Sequence, residues 1–517
     1  MINKKNRLTD RIIIVSRLIA GKINSITIRI RKFIEFFYDY LQFKKFIKNQ
    51  KIDKEVEVVD DEKICIAMIP WLGSAVPWYS VTIALMLYEK GRSIFILFDD
   101  MPFGDDNLYH RLQSKLIFNI LIKLPIKLIK LSDYQSSKIT NNEIDNLTKL
   151  NSLHAIHGEN NLIARQSYEK IIKEQLSLIC SKIASFYEEE KFPKIFLPGG
   201  IWGSSCIFPL FAKKTNTQII TYDAGESRFV LSIFGVAAQL QDIPYSFNKI
   251  LKNPQEKKFA IRRGLHQLEK RRAGNDMISY FKQATDTSQF GDDYYLMLLN
   301  SVWDSATLGL HTVYNSMNEW IFDTIEWILK NTEKKIIIRQ HPAERAKDLN
   351  NTDLYDQQID KKFGHNKRVI FIEAAKDINT YNLIENAICV LGFSSTIIVE
   401  SVALGKVSII VSSAYYADFG IVYNANDKTE YYKYLAKASI YELKNTQEMK
   451  DRACISNYIT QSCNWYKTEF TPVRENFLAW SRLNLHDLEN DYLPLQAILE
   501  NKPLPIIQHE KYFKNVK

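Results

Sequence analysis

Cysteine is scarce and scattered. The six residues (Cys65, Cys180, Cys206, Cys389, Cys454 and Cys463) form no Cys-x-x-Cys pair and have no histidine beside them at zinc-ligand spacing. That argues against a disulfide framework or structural zinc site and predicts reduced, mostly buried thiols. The 18 glycines never fall into Gly-x-Gly-x-x-Gly or the Walker spacing, so a dinucleotide or ATP loop of those types is not expected. A clean long apolar run is also missing. The uncharged stretch from Cys65 to Tyr88 is long enough for a bilayer, but Pro70, Gly73, Ser74 and Pro77 divide it into a strand, a loop and the apolar face of a helix ending near Glu89. Near the N-terminus, Ile12–Val15 is interrupted by Arg17 and followed by more positive charge, which argues against a cleaved secretory signal and makes the cytosol the expected compartment.

What is present is an ordinary globular composition, 46% hydrophobic and 25% charged, in 517 residues, which exceed what one hydrophobic core normally organises. Charge is uneven. Residues 1–51 hold thirteen Lys/Arg against three acids, a net of +10, so the rest of a chain with net charge +9 is near neutral. Ile30, Phe33, Ile34, Phe37 and Leu41 form a helical stripe beside those charges. Such a segment suits the anionic inner face of the cell membrane, and its deletion is expected to release the protein while leaving ligand affinity intact. The alternative is a solvated arm whose stripe packs on the body. Nucleic acid is not expected as a partner, because the basic excess is confined to one terminal segment and no nucleic-acid-binding motif accompanies it.

From Lys63 onward short β-rich runs alternate with amphipathic stretches, the pattern of an α/β protein with parallel sheets. One series includes Lys63–Ile69, Ser93–Phe98, Lys194–Leu197 and Gln218–Tyr222; a second includes Tyr294–Leu299, Lys335–Arg339, Arg368–Ile372, Ala387–Leu391 and Val407–Val411. The expected layout is a basic amphipathic segment (1–56), a Rossmann-like domain (57–247), a charge-dense linker with one exposed helix (248–292), a second Rossmann-like domain (293–430) and C-terminal helices crossing back (431–517).

The sharpest local signal is Ile336–Glu344. Pro342 disfavours helix at His341, so the strand runs extended, and its period of two places Arg339 and His341 on one face at the carboxyl end of a parallel strand. A guanidinium fork and a switchable imidazole there suit the phosphate of a nucleotide, although His341 capping a loop fits as well. The second signal, Ala387–Lys406, reads as strand, turn and helix, with Gly392 at the turn and Ser394, Ser395 and Thr396 at the helix N-terminus, an anion site or simple N-caps. One turn on, Glu400 among apolar neighbours needs a partner, either a ribose hydroxyl or an Arg or Lys. In the first domain Trp71, Trp78 and Trp202 are candidates for stacking on sugar or for core packing. Asp99, Asp100, Asp105 and Asp106 lack Asp-x-Asp spacing and read as solvated loop acids. With Arg339, His341 and a helix N-terminus to offset phosphate charge, no metal or other cofactor is expected.

Taken together, Arg339-Gln-His-Pro-Ala-Glu344 and Ser394-Ser-Thr-x-x-x-Glu400-x-x-x-x-Gly405-Lys406 resemble the capsule and surface-polysaccharide glycosyltransferases, including Kdo transferases and, more distantly, bacterial sialyl- and polysialyltransferases. Asn300–Ser305 and Glu319-Trp320 look like the preceding segment of such proteins. The resemblance covers residues 290–425 and is only architectural over 60–245. It implies a GT-B arrangement of two Rossmann-like domains facing a cleft, with the nucleotide-sugar donor (a CMP-sugar such as CMP-Kdo favoured) on the second domain and a polysaccharide or lipid-linked glycan acceptor on the first. In that family the His-Pro and Ser-Ser elements contact the nucleotide and its phosphate, which implies those roles for His341, Ser394 and Ser395; Arg339, Glu344, Thr396, Glu400, Ser301 and Asp304 complete the expected donor set. The catalytic base is expected in the first domain, with Glu226 and Asp223 foremost and Asp242 and Asp100 behind them. A teichoic-acid-type polyol-phosphate transferase using a CDP-activated donor and a noncatalytic polysaccharide-assembly protein are the rivals.

Overall fold

The computed structural model describes residues 27–50, 52, 56–71, 76–104, 108–137, 141–159, 162–225, 228–273, 287–341, 344, 355–467, 485 and 492–515. Glu226, Pro342, Asp105, Asp106 and residues 1–26 lie outside the described residues.

The first series folds into one sheet. β1 (Asp60–Met68), β2 (Arg92–Phe98), β3 (Lys127–Lys130), β4 (Lys194–Pro198) and β5 (Gln218–Gly225) run parallel in the order β3-β2-β1-β4-β5, and β5 turns back into the antiparallel β6 (Arg228–Ser232). Helices α1 (27–49), α2 (Val76–Glu89), α3 (Leu108–Leu121), α4 (Asn141–Ile156), α5 (Leu162–Glu189) and α6 (Phe208–Thr215) accompany it. The near-continuous apolar runs of β1 and β4 are those of strands buried on both faces, as covered parallel sheets require. The uncharged stretch from Cys65 is divided: β1 stops at Met68 and α2 starts at Val76. Among the described residues no helix is long and apolar enough to cross a membrane.

α1 corrects the picture of a detachable N-terminal segment. It has two apolar faces. Phe36, Phe43 and Phe46 are buried with Tyr40, and Trp78 of α2 stacks on Phe43 at 4.7 Å and on Phe36 at 5.5 Å between ring centroids. Ile30, Ile34, Phe37 and Leu41 stand exposed on another face, while Phe33 is half-buried against Tyr109. Both alternatives for the stripe thus have residues to carry them, but removing the helix would open the first domain's core.

The second sheet is parallel throughout. Its order is β9-β8-β7-β10-β11-β12, from β7 (Tyr294–Leu298), β8 (Lys335–Arg339), β9 (Val369–Ile372), β10 (Ala387–Gly392), β11 (Ser408–Ile410) and β12 (Tyr423–Asn424). Counted from its own first strand this is 3-2-1-4-5-6, the doubly wound dinucleotide-fold order. The two Rossmann-like halves are therefore present. Around the second sheet lie α7 (Ile243–Leu251), α8 (Pro254–Arg272), α9 (Met317–Asn331), α10 (Tyr355–Phe363), α11 (Thr380–Asn386), α12 (Ile397–Ala403), α13 (Lys428–Ser439) and α14 (Gln447–Tyr458).

α8 is not the exposed linker helix that its charge density implied. Asn253 caps it by accepting the N–H groups of Gln255 and Glu256, Pro254 occupies its first turn, and Phe259, Ala260, Gly264 and Leu268 are buried. Gly264 is required there: an added Cβ would meet the carbonyl oxygen of Cys454 at 1.9 Å, so α8 and α14 pack backbone to backbone. After α14 the chain adds β13 (Tyr466–Lys467) to the first sheet beside β6, then α15 (Leu493–Leu499) and α16 (Leu504–Lys514). In α16, Leu504 and Ile507 join the first domain's core and Ile506 the second's.

Candidate functional site

Open α/β sheets bind ligands beyond the carboxyl ends of their strands, where the strand order reverses. In the second sheet that point lies between β7 and β10. The loop after β7 brings Asn300, and the turn after β10 brings Ser394. The Asn300 side chain donates to Ser394 Oγ at 3.3 Å and accepts the Ser394 N–H at 3.3 Å, while Ser394 Oγ donates to the Ala306 carbonyl at 2.9 Å. Ser394 is therefore a brace between the two loops. Glycine ends β10 at position 392, where a Cβ would lie 2.2 Å from Ile398 Cδ1 and force the buried Ile398 side chain to move. Ser395 and Thr396 are half-buried beside the brace, and neither hydroxyl makes a hydrogen bond among the described residues. They do not serve as caps: Thr396 precedes α12 with helical dihedrals and makes no side-chain cap bond.

His341 follows β8 at the same edge, half-buried. Burial holds its imidazole below the usual histidine range; the Asp304 carboxylate opposes that shift and the Arg339 guanidinium adds to it. At neutral pH it is therefore an uncharged ring, one nitrogen carrying a proton and the other a lone pair. Arg339 is close by but turned onto backbone. It is buried, donates to the Glu373 carbonyl, and through Nη2 to the Lys376 carbonyl at 3.1 Å, so it shapes the loop after β9 instead of presenting its fork. Glu344 accepts Gln340 Nε2 at 2.7 Å, and Gln340 in turn accepts the Ala374 N–H at 2.9 Å. Asp304 is exposed and accepts the Ala306 N–H at 3.0 Å; Ser301 is buried in the same loop.

Glu400 does not face a ribose. Its two oxygens are taken by Arg271 Nη1 at 2.8 Å and by the Tyr381 hydroxyl at 2.5 Å, and it is only 1% exposed. A carboxylate that deep needs compensation, and α8 supplies the cation. The ion-pair alternative for Glu400 is the one the structure contains.

The corresponding reversal in the first sheet lies between β1 and β4. A cavity of about 460 Å³ opens there, within the range of small-molecule sites, and its walls include Trp71, Asp99, His110, Trp202 and Ser204, with Arg29 and Lys32 of α1. Asp99, expected among the solvated loop acids, is instead 5% exposed; it accepts the Ser204 hydroxyl and the Met101 N–H at 3.2 Å. Burial raises its carboxyl to about 6, against the lowering effect of those two bonds. Asp100 is a loop acid, accepting Ser132 N–H at 2.9 Å and its hydroxyl at 2.6 Å. Of the expected bases, Asp223 is exposed on the β5–β6 hairpin, and buried Asp242 is spent on Ser232 and the Ile233 and Phe234 N–H groups. Of the three tryptophans, Trp78 is core, whereas Trp71 and Trp202 stack on each other at 4.9 Å at the cavity.

An aromatic series connects the two edges. Trp202 stacks on His154 at 4.5 Å, and His157 stacks on Trp303, in the loop after β7, at 4.5 Å. His154 Nδ1 lies 3.0 Å from the Trp303 carbonyl. A carbonyl only accepts, so Nδ1 carries the proton; burial keeps the ring neutral. Beside this, the Glu159 carboxylate accepts the Met317 and Asn318 N–H groups at 3.1 and 3.0 Å, so an acid of the first domain sits on the N-terminus of α9 in the second. Sequence gave no sign of His154, His157 or Glu159, whose partners lie far along the chain. Asp99 carried a usable one, its place at the carboxyl end of a parallel strand.

Solved structures with similar folds include two Thermosulfurimonas dismutans KpsC proteins. The beta Kdo 2,4 transferase is 12% identical, with 52% of this chain and 80% of that one covered at a TM-score of 0.33; the beta Kdo 2,7 transferase is 10% identical, with 61% and 89% covered at 0.34. A Methanocaldococcus jannaschii UDP-GlcNAc 2-epimerase, 15% identical, covers 77% and 99% at 0.25. Overlaps this loose leave the fold to be read from the chain's own sheets. No curated protein sequence matches the chain. Residues 238–454, which span α7 to most of α14 and hold the whole second sheet with its β7/β10 reversal, match the family described as "Capsule polysaccharide biosynthesis protein".

Proposed function

We propose that the chain is a glycosyltransferase of capsule or surface-polysaccharide synthesis, moving a sugar from a nucleotide-activated donor, a CMP-sugar in the favoured form, to a glycan acceptor. The observation that carries this reading is the pairing of two doubly wound sheets whose reversal points adjoin through Trp202, His154 and Trp303. The second reversal point has the chemistry of a donor site. His341 offers a neutral N–H, and Ser395 and Thr396 offer hydroxyls, to phosphate oxygens whose charge grows as the glycosidic bond breaks, so these contacts strengthen in the transition state. The first reversal point has the chemistry of an acceptor site, a cavity with stacked indoles and a buried carboxylate.

The exposed face of α1 supports work at an anionic membrane surface. Ile30, Ile34, Phe37 and Leu41 form an apolar stripe that Lys44, Lys45 and Lys48, all exposed, continue. The experiment is a thermal-shift panel of CMP, CDP, UDP, GDP and their sugars, followed by product analysis with the stabilising donor. A new glycosidic bond is expected. A phosphodiester product would make the chain a polyol-phosphate transferase, and no stabilisation by any nucleotide would make it an assembly protein.

A further inference from the structure

We propose that Asp99 is the group that takes the acceptor's proton, in place of the loop acids Glu226 and Asp223. The assignment rests on the transferase reading above. Three observations carry it. Asp99 directly follows β2 at the wall of the 460 Å³ cavity, beside the β1/β4 reversal where a ligand of the first domain belongs. Its oxygens accept one hydrogen bond each, from Ser204 and from the Met101 N–H, which fixes its direction and leaves lone-pair capacity on both. No Lys, Arg or His among the described residues lies within ion-pairing distance of it, in contrast to Glu400 with its Arg271.

The step balances simply. The acceptor O–H proton passes to the Asp99 carboxylate, the freed oxygen bonds to the donor's anomeric carbon, and that carbon's bond to the phosphate oxygen breaks with its electron pair leaving on the nucleotide. A base works best with its pKa near the working pH, and burial has already moved Asp99 to about 6. The ionisable groups that face the cavity with it are Arg29 and Lys32 from α1, His110 from α3 and Tyr168 from α5, and Asp100 follows it on the chain and pushes its pKa upward.

Asp99→Asn keeps one accepting oxygen for the Met101 N–H, turns the other position into an NH2 donor toward the Ser204 hydroxyl, which can accept as well as donate, and removes the base. It should lower kcat/KM by ~10²–10⁴-fold, leave nucleotide affinity by calorimetry unchanged, and abolish an acidic limb near pH 6. Ser204→Ala removes a bond that holds the Asp99 pKa down, so the enzyme should stay active with its limb displaced to higher pH, an effect that a mere brace would not produce. Normal turnover by Asp99→Asn, or an unmoved limb in Ser204→Ala, overturns the assignment while leaving the transferase intact. Should Asp99→Asn fail to fold, the Ser204→Ala profile decides alone. Absence of sugar transfer by the wild-type protein from every donor in the panel is the separate failure of the transferase reading, and the assignment falls with it.

Discussion

The two reversal points share a strand order and differ in contents. At β1/β4 the edge holds a cavity with stacked indoles, a buried carboxylate and cations at its α1 wall; at β7/β10 it holds a tied pair of loops with hydroxyls and a neutral imidazole. The rule for open α/β sheets points to a ligand at each. Side chains decide which ligand: a carboxylate near a sugar-sized cavity suits deprotonation, and neutral donors around a turn suit phosphate oxygens. The comparison also separates residues that present chemistry from those that hold the frame, for the Arg339 terminal nitrogens, the Ser394 hydroxyl and the Glu400 carboxylate are all engaged by protein partners.

The largest expected effect tests that separation. Arg271→Ala leaves Glu400 buried without its cation, and breaking such a pair typically costs about 3–5 kcal/mol. Denaturant unfolding followed by a probe in the second domain should show a lower midpoint and a loss of unfolding free energy of that size. A near-normal midpoint together with a raised donor KM would return Glu400 to the ligand site.

Next in size is the β7/β10 edge, the proposed donor site. His341→Ala and Ser395→Ala should each lower kcat more than they raise KM, by ~10²–10³-fold, about 2.7–4 kcal/mol, as for loss of one transition-state hydrogen-bond donor. Steady-state kinetics on folded protein measures both. The pH dependence has a definite sign: because burial depresses the His341 pKa, the neutral donor persists below the ordinary histidine range, so turnover should not fall on the acid side until below pH 6.5 on account of this residue. Near-wild-type turnover in both variants would dissolve the contrast between the edges.

How much of this was legible in the chain follows from how local each signal was. The strands of both series came from apolar runs bounded by turn residues, and β8 was placed residue for residue at Lys335–Arg339. β3 (Lys127–Lys130), β6 (Arg228–Ser232) and the two-residue β12 and β13 were not placed. Charge density misled at α8, whose buried face is set by the helix it packs against and not by its own composition. The His341 and Ser394–Thr396 edge was visible because strand-end and turn residues are adjacent in sequence. Asp99 was missed because burial depends on Ser204 and the cavity, 105 residues away. Arg339 was misjudged for the same reason: period fixes the face of a strand, but not what the far end of a long side chain meets.

The first domain also differs from the second in its outer face, and a smaller effect is expected there. Deleting α1 would expose Trp78 and is the wrong experiment. Lys45→Glu with Lys48→Glu leaves the buried face intact and should weaken binding to phosphatidylglycerol-containing vesicles by about 1 kcal/mol or more per site, with the loss shrinking as salt screens the surface. Co-sedimentation across a salt series measures it. Equal, salt-insensitive binding to neutral vesicles would mean that the stripe of Ile30, Ile34, Phe37 and Leu41 meets something other than an anionic surface.

The smallest expected effect sits where the two edges meet. Trp202 lies between Trp71 and His154, and an aromatic pair is worth about 0.5–1.5 kcal/mol beyond the area it buries. If Trp202 serves the acceptor cavity, Trp202→Ala should raise the acceptor KM by about 2–13-fold, the same energy expressed as a ratio. Nucleotide affinity by calorimetry should not move, because the proposed donor edge is braced independently through Asn300 and Ser394. Trp202→Phe, which keeps a stacking ring, should recover most of the loss. A fall in nucleotide affinity with an unchanged acceptor KM would place Trp202 on the donor, and the division of labour between the β1/β4 and β7/β10 edges would have to be redrawn.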